Sequence, residues 1–196
     1  MKKTLARLAV SLFVVGMASV ASATSYSGDV KAFENSSSGG VGLDLDIDLT
    51  LGQLFAISTG LGDLWSAGAL PRVSDADGLN KTLVEDGTKG SRLPIGTTLG
   101  IDFGLYTKGN LSAPYGSLVG EINGIYALLG KAFTGPAWGT GELKLFYWDS
   151  NQYDNSGTIR VTVDKTDPVP EPATMILFGA GLAGLAAARR RKKDCF

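Results

Sequence analysis

Apolar and polar residues alternate without interruption over residues 43–51, and this period of two is the strongest constraint on the fold. Leucine or isoleucine stands at every odd position, with Asp44, Asp46, Asp48 and Thr50 between them. Successive side chains of a β-strand point to opposite faces of the sheet. The pattern therefore predicts a strand with five apolar side chains on one face and a solvated opposite face.

Short runs of the same kind recur along the chain, separated by glycine-rich turns, whereas helical periodicity is hard to find. They lie at residues 53–59, 99–107, 117–123, 126–134, 141–149 and 158–164. The sequence predicts an all-β domain of about seven or eight strands, most economically a β-sandwich or jelly roll.

The chain contains no histidine and a single cysteine, Cys195. The absence of histidine excludes Ser-His-Asp and Cys-His nucleophilic catalysis and histidine-ligated zinc. Cys195 has no partner for a disulfide. We therefore expect no enzyme activity, although chemistry that uses carboxylates alone, as in glycosidases, stays open as an alternative.

The first 23 residues have the three parts of a secretory signal peptide: a basic start, an apolar run over 8–20 and small residues at 21–23. This order predicts export through the Sec translocon and cleavage by signal peptidase between Ala23 and Thr24. A retained N-terminal anchor is the alternative.

Near the other end, residues 173–188 form an uncharged apolar run, and a basic tail over 189–196 follows with Arg189, Arg190 and Arg191. Basic residues beside an apolar helix stay in the cytoplasm. The pattern predicts a C-terminal transmembrane helix over 173–188, short enough to suit a transient stop better than a permanent anchor.

Pro170, Glu171 and Pro172 precede this helix. The prolines disfavour helix, so the linker 168–172 is expected to be extended and accessible. Linker, apolar helix and basic tail together resemble the PEP-CTERM sorting signal. The resemblance implies that an exosortase recognises the chain, which is anchored in the inner membrane before it is sorted to the cell surface or exterior. An ordinary single-span anchor behind a Pro-rich linker is the alternative.

Between these ends, residues 24–167 are long enough for one domain with its own core. Residues 24–172 contain ten basic and eighteen acidic residues, a net charge of about −8. This charge disfavours nucleic acid as a partner and favours cations or neutral partners such as sugars.

Two acidic groups have ordinary structural explanations. Asp44, Asp46 and Asp48 lack the turn glycine and closing glutamate of a calcium loop, so we interpret them as a solvated strand face. Residues 75–78 predict a turn, and the serine- and glycine-rich stretch 35–40 predicts a flexible loop without an assigned function.

The last hairpin of the domain is the best candidate for a site. A predicted strand ends at Asp149, and residues 150–157 are rich in serine, asparagine and aspartate. Calcium binds six to eight such oxygen donors. The same residue types make tight turns, so a purely structural hairpin stays open.

Asp149, the turn 154–157 and the segment 161–163 resemble the C-terminal hairpin of LecA-like lectins, and segments 77–79 and 116–122 are similar to this family in the same order. These lectins are calcium-dependent galactose binders. The resemblance implies a galactose-binding-like β-sandwich.

Residue by residue, the resemblance implies a calcium site. Asp149, Asp154 and Asn155 match side-chain ligands, while Asn151 and Ala67 match positions that supply carbonyl oxygens. The hairpin loop is about two residues shorter than in the lectins.

The sugar-binding positions of the family differ in this chain. The family's histidine is absent, with Ser74 or Asp75 near its place, and Asp77 stands where a glutamine is expected. We take Asp75, Asp77 and Tyr153 as candidate ligand-binding residues, with the Tyr153 ring available to stack on a sugar. Calcium binding could survive while the sugar changes or is lost.

The leading hypothesis is an exported, calcium-dependent carbohydrate-binding module that binds exopolysaccharide or cell-surface glycan. The alternative is a structural protein of the extracellular matrix or biofilm that has the same sandwich and no sugar site. Fold resemblance alone does not separate them.

Overall fold

The computed structural model describes residues 23–81 and 83–166, together with residues 179, 181 and 182. One compact unit spans Ala23–Asp167 and contains all of the strands below. The predicted signal peptide up to residue 22, the linker 168–172 with its Pro-Glu-Pro motif, and the basic tail with Arg189, Arg190 and Arg191 lie outside the described residues. In the described part of the predicted membrane segment, residues 179, 181 and 182 have helical backbone, and no described helix is long and apolar enough to cross a bilayer.

Twelve strands and one short 3₁₀ helix, Gln152–Asp154, make up the described unit. The strands are β1 (Ala23–Lys31), β2 (Leu43–Leu49), β3 (Leu54–Thr59), β4 (Trp65–Ala67), β5 (Val73–Ser74), β6 (Leu105–Lys108), β7 (Leu111–Pro114), β8 (Ser117–Ile122), β9 (Ile125–Leu128), β10 (Ala132–Pro136), β11 (Gly141–Trp148) and β12 (Asn155–Thr166). The prediction of an all-β domain is confirmed.

The strands form two main antiparallel sheets and a separate hairpin. The larger sheet has the order β10-β3-β12-β4-β5, with β1 pairing β12. The smaller sheet has the order β2-β11-β8-β9, and β6 and β7 pair only with each other.

The main hydrophobic core of the described residues lies between the two main sheets. Its fully buried side chains come from both of them, including Phe55, Ile57, Ile159, Val161 and Val163 from the larger sheet and Ile47, Leu118, Leu143, Leu145 and Tyr147 from the smaller one. Two facing sheets that share one core define a β-sandwich, so that prediction is also confirmed.

The rings of Trp65 and Tyr147 join the sheets near the end of β11. Their centroids are 4.6 Å apart in an edge-to-face arrangement, and the Trp65 indole nitrogen donates a hydrogen bond of 2.7 Å to the Gly116 carbonyl oxygen. This contact fixes β4 against the turn before β8, which places the β4 end of the larger sheet beside the last residues of β11.

The β6–β7 hairpin covers the other face of the smaller sheet. Its Tyr106 and Ala113 pack with Val119 of β8 and Trp148 of β11 in a second buried cluster. Because β8 and β11 are covered on both faces, most of their residues are buried in unbroken runs instead of alternating.

Three sequence expectations are corrected in detail. Leu51 was expected on the buried face, but it lies in the turn after β2 and is 67% exposed. The predicted strand 126–134 is two strands, β9 and β10, which belong to different sheets, and only the last part of 99–107 is a strand. In the first two cases the apolar pattern of the sequence continues across residues that form a turn in the structure.

Gly157 has a positive φ of 92°, and a Cβ atom there would lie 2.7 Å from the Trp65 Cα atom and 2.8 Å from the Leu64 carbonyl oxygen. We predict that Gly157→Ala lowers the free energy of unfolding by about 3 kcal/mol, because it adds backbone strain to a clash with main-chain atoms. Urea denaturation of the full-length protein in mild detergent measures this loss.

Gly52 provides the matched control, because its φ is 83° and nothing lies within 4 Å of the position a Cβ would occupy. Gly52→Ala should lower the free energy of unfolding by only about 1 kcal/mol, the cost of the backbone strain alone. Equal losses for the two variants would contradict the role assigned to the close approach of β4 and β12.

Candidate functional site

Asp149 follows directly after β11. Ser37, in the serine-rich stretch 35–40, forms hydrogen bonds with the Asp149 backbone. The Asp149 amide donates to the Ser37 hydroxyl at 3.0 Å, and this hydroxyl donates to the Asp149 carbonyl oxygen, also at 3.0 Å. Its carboxylate Oδ1 accepts hydrogen bonds from the amides of Ser150 at 2.6 Å and Asn151 at 3.4 Å. Asp149 is only 4% exposed.

Burial raises the pKa of the Asp149 carboxyl above its ordinary value. Hydrogen bonds from Ser150, Asn151 and Asn155 oppose this rise, and the nearby charge of Asp154 adds to it. The net rise means that burial disfavours the ionised Asp149 carboxylate by more than these hydrogen bonds stabilise it.

Asn155 begins β12 and is 7% exposed. Its side-chain amide nitrogen lies 3.4 Å from both the Ala32 carbonyl oxygen and the Ser36 hydroxyl, while its side-chain oxygen is buried and has no hydrogen-bond partner in the described part of the chain. A buried polar oxygen without a partner is costly and is commonly satisfied by a water or an ion.

The pairing of β12 with β4 places Ala67 directly across from Asn155. These two residues are far apart in the sequence. Of the predicted metal residues, the structure thus brings Ala67 to the start of β12, beside the loop that carries the other four.

Asp154 reaches towards β4 from the end of the 3₁₀ helix. Its carboxylate accepts a hydrogen bond of 2.8 Å from the Asn151 side chain and lies 3.9 Å from the Arg72 guanidinium. A Cβ at Gly68 would approach the Asp154 carboxylate to 2.7 Å, so the absence of a side chain at Gly68 makes room for it.

Asn151 shapes this loop through its side chain. Its side-chain oxygen accepts a hydrogen bond from the Tyr153 amide at 3.3 Å and caps the 3₁₀ helix. The Tyr153 ring is 82% exposed beside the loop. Tyr153 is therefore accessible to a ligand in solution.

Tyr147 places a further oxygen under the loop. Its hydroxyl is buried and has no hydrogen-bond partner within the described residues. Burial raises the Tyr147 pKa well above its ordinary value, and the charges of Asp149 and Asp154 raise it further. Within the described residues, the loop and the Tyr147 side chain below it therefore combine a carboxylate with unfavourable burial and three buried oxygens without partners, those of Tyr147, Gln152 and Asn155.

Asp75 and Asp77, predicted to bind ligand, are held by Lys131. The Lys131 ammonium lies 3.1 Å from the Asp75 carboxylate and 2.8 Å from that of Asp77, and the Lys131 amide donates to Asp77 at 3.0 Å. Burial tends to raise the Asp77 pKa, but the hydrogen bonds and charge of Lys131 hold it below its ordinary value. The contacts of these two carboxylates thus run to Lys131 instead of to the Asp149 loop.

The stretch 35–40, expected to be a flexible loop, is part of the support of the site. Ser36 and Ser37 are essentially inaccessible to solvent, and the Lys108 ammonium donates a hydrogen bond to the Ser37 carbonyl oxygen. That expectation is wrong because the loop packs against the end of β11. Only its run of short hydroxyl side chains gave a signal, and such a run is also typical of exposed loops.

The acidic face of β2 gains a third carboxyl from the neighbouring strand. Carboxylate oxygens of Asp44, Asp46 and Glu142 lie within 4.8 Å of one another. A hydrogen bond to Asp44 raises the pKa of the Glu142 carboxyl. Asp44 and Asp46 are exposed, as expected for a solvated strand face.

An open groove of about 550 Å³ lies along β4 and the start of β12, beside the loop 89–93. The buried Glu85 carboxylate holds this loop by accepting hydrogen bonds from the amides of Gly87, Lys89 and Ser91. No predicted site residue lines the groove. The candidate site is therefore the Asp149 loop and not this groove.

Residues 168–192 match the PEP-CTERM protein-sorting motif. The prediction made from Pro170, Glu171 and Pro172 is confirmed, and the motif indicates an exported protein that is sorted to the cell surface. Among solved structures, the EclA N-terminal domain, a PllA-like lectin, is similar with 18% identity and a TM-score of 0.45, over 71% of this chain and 95% of that chain. No curated protein matches the chain.

The raised pKa of Asp149 predicts how stability depends on pH. Between the ordinary carboxyl pKa of about 4 and the raised folded value, the folded state binds more protons than the unfolded one, so stability falls as pH rises through this window. We predict that Asp149→Asn raises the melting temperature of the metal-free full-length protein at pH 7, because the amide oxygen can still accept both backbone hydrogen bonds. The gain should disappear below about pH 4.

Calorimetry across pH tests this prediction, and Asp46→Asn is the control because Asp46 is exposed on β2. That variant should leave the melting temperature unchanged to within about 1 °C. A lower melting temperature for Asp149→Asn at pH 7 would show that the carboxylate is stabilising in the metal-free state.

Proposed function

We propose that the exported domain binds calcium at the Asp149 loop and uses the bound ion to bind carbohydrate at the cell surface. The ligands would be the side chains of Asp149, Asp154 and Asn155, with carbonyl oxygens from Asn151 and Ala67. The observation that carries the proposal is the buried Asn155 oxygen without a partner, next to a carboxylate whose pKa is raised by burial.

The chemistry of this oxygen set suits calcium. Calcium takes six to eight hard oxygen ligands, including carboxylates, amide oxygens and main-chain carbonyls. A divalent ion would supply the positive charge that the buried Asp149 lacks and a partner for the Asn155 oxygen. The site contains no sulfur or imidazole donor, so a softer metal is disfavoured.

Sugar binding would follow from the coordination number of calcium, which exceeds the number of ligands that the protein supplies. Protein ligands alone fill part of the calcium shell, and the remaining positions suit vicinal hydroxyl groups. The exposed Tyr153 ring beside the loop offers an apolar face to a sugar ring. Asp75 and Asp77 would contribute only if Lys131 releases them, so we assign the primary sugar contact to the ion and Tyr153.

A structural role without a sugar site is the second candidate. The same sandwich and sorting motif would serve an extracellular matrix protein, and the unpartnered oxygens would then be satisfied by ordered water. Neither candidate is an enzyme, and both place the protein outside the cytoplasm after processing by an exosortase.

Calcium should stabilise the full-length protein against heat. Binding only to the folded state adds about 2.7 kcal/mol at a hundredfold excess over Kd, which corresponds to several degrees in melting temperature. Differential scanning fluorimetry with added calcium, and again with excess chelator, measures this shift.

Asp149→Asn and Asp154→Ala should abolish the calcium shift, since each removes a proposed charged ligand. Asp46→Asn should keep it, because Asp46 belongs to the exposed acidic face of β2. If the wild type shows no shift, or if Asp46→Asn removes it, calcium does not bind at the Asp149 loop.

Processing should remove both ends of the chain. Because residues 168–192 match the sorting motif, we expect the mature surface form to lack residues 1–23 and the segment beyond about residue 173. Intact-mass spectrometry of the surface fraction tests this expectation, and a strain without exosortase is the control. A mature form that retains Arg189–Arg191 would refute exosortase processing.

A further inference from the structure

We infer that a second binding position, formed by Arg72, Phe103 and Tyr115, takes an anionic sugar residue next to the sugar at the calcium site. The inference rests on the proposed function, because it concerns a neighbouring residue of the same polysaccharide. It assigns a ligand class that differs from the neutral galactose implied by the lectin resemblance.

Arg72 presents a guanidinium whose ion pair with Asp154 is longer than a hydrogen bond. Its Cζ atom lies 4.5 Å from the centroid of the Phe103 ring, and its Nη1 lies 3.9 Å from the Asp154 carboxylate. The guanidinium makes no hydrogen bond within the described part of the chain, and 41% of the side chain is exposed. A planar guanidinium in this state can bind a carboxylate or sulfate through two parallel hydrogen bonds.

The backbone of Arg72 is fixed by hydrogen bonds, although its guanidinium makes none within the described residues. Its amide donates to the Ala69 carbonyl oxygen at 3.1 Å, and its carbonyl oxygen accepts from the Ala67 amide at 3.0 Å. Ala67 is the proposed carbonyl ligand on β4. The same turn therefore carries both the metal ligand and the guanidinium.

Aromatic rings connect Arg72 to the far side of the loop. Phe103 is 37% exposed and meets Tyr115 edge to face with centroids 5.1 Å apart. The Tyr115 hydroxyl lies 3.4 Å from the Ser150 hydroxyl, one residue after Asp149. Arg72, Phe103 and Tyr115 thus form a continuous wall beside the proposed calcium ligands, and aromatic side chains of this kind favour the apolar faces of sugar rings.

Other basic side chains around the loop have partners. Lys108 donates to the Ser37 carbonyl oxygen, and Lys131 binds Asp75 and Asp77. Arg72 differs from them, because its guanidinium forms a 3.9 Å ion pair with Asp154 but makes no hydrogen bond within the described residues.

Calcium at Asp149 and Asp154 would change the surroundings of Arg72. The Asp154 carboxylate would then be shared between a divalent ion and the guanidinium, and the two cations would repel each other. An anionic group of the ligand placed between them relieves this repulsion and satisfies both. Residues 24–172 carry a net charge of about −8, so selection of an anion must come from this local arrangement.

A glycan array probed with the full-length protein in mild detergent and calcium tests the inference. The array carries uronic-acid and sulfated oligosaccharides beside their carboxyl-reduced and desulfated counterparts. We expect the wild type to bind the acidic member of a pair about tenfold more tightly, as expected for one charge-assisted contact. Arg72→Gln should bind both members equally, and Arg72→Lys should keep part of the preference because it keeps the charge without the planar fork.

Lys165→Gln is the matched control, because Lys165 also lies over an aromatic ring, 6.0 Å from the centroid of Tyr26, and its loss changes the net charge equally. This variant should keep the preference for acidic glycans. Retention of the calcium melting shift by Arg72→Gln verifies that the metal site is intact in that variant.

The outcomes separate the two proposals. Equal binding of acidic and neutral glycans by the wild type in calcium, or an undiminished preference in Arg72→Gln, overturns the inference and leaves the proposed function standing. A wild type that binds calcium but no glycan overturns both. Preference for the carboxylate or for the sulfate members identifies the anion that Arg72 binds, and either supports the inference.

Discussion

The pairing of β12 is the constraint on which the rest of the structure depends. This strand pairs β1 from Thr158 to Thr166, and on its other edge it pairs β3 and then β4. One continuous backbone therefore fixes the register of three other strands. Its first residue, Asn155, lies opposite Ala67, so the same register that builds the sheet also assembles the candidate site.

The candidate site buries polar and charged groups whose burial destabilises the folded protein when no ion is bound. Asp149 is buried with a raised pKa, and the side-chain oxygens of Asn155 and Tyr147 have no partner in the described region. The loop that contains Ser36 and Ser37 supports the site, since both serines are buried and the Ser37 hydroxyl is hydrogen-bonded to the Asp149 backbone. A ligand that pairs with these buried groups stabilises the folded state, and this couples ligand binding to folding.

Local patterns predicted the strands that alternate or run between clear turns, as at residues 43–49, because one face of such a strand is in the core. They could not predict where one apolar run divides between two sheets, as at residues 126–134. That division depends on which partner strand is available, and this is settled by contacts far away in the sequence. The buried serine-rich loop was missed for the same reason, since short hydroxyl side chains suit both an exposed turn and a packed one.

The sequence by itself determined that the chain has an all-β domain and carries a PEP-CTERM sorting motif. Both follow from the types of residue in short segments and the order in which they occur. It also selected the oxygen-rich hairpin after Asp149. Only the tertiary structure decided which residues surround that hairpin. Strand pairing places Ala67 opposite Asn155, and the turn after β4 places Arg72 near Asp154. Asp75 and Asp77 form ion pairs with Lys131 instead. The physical reason is that strand register and ion pairing act between residues that are distant in the sequence, and no local pattern records which of them meet.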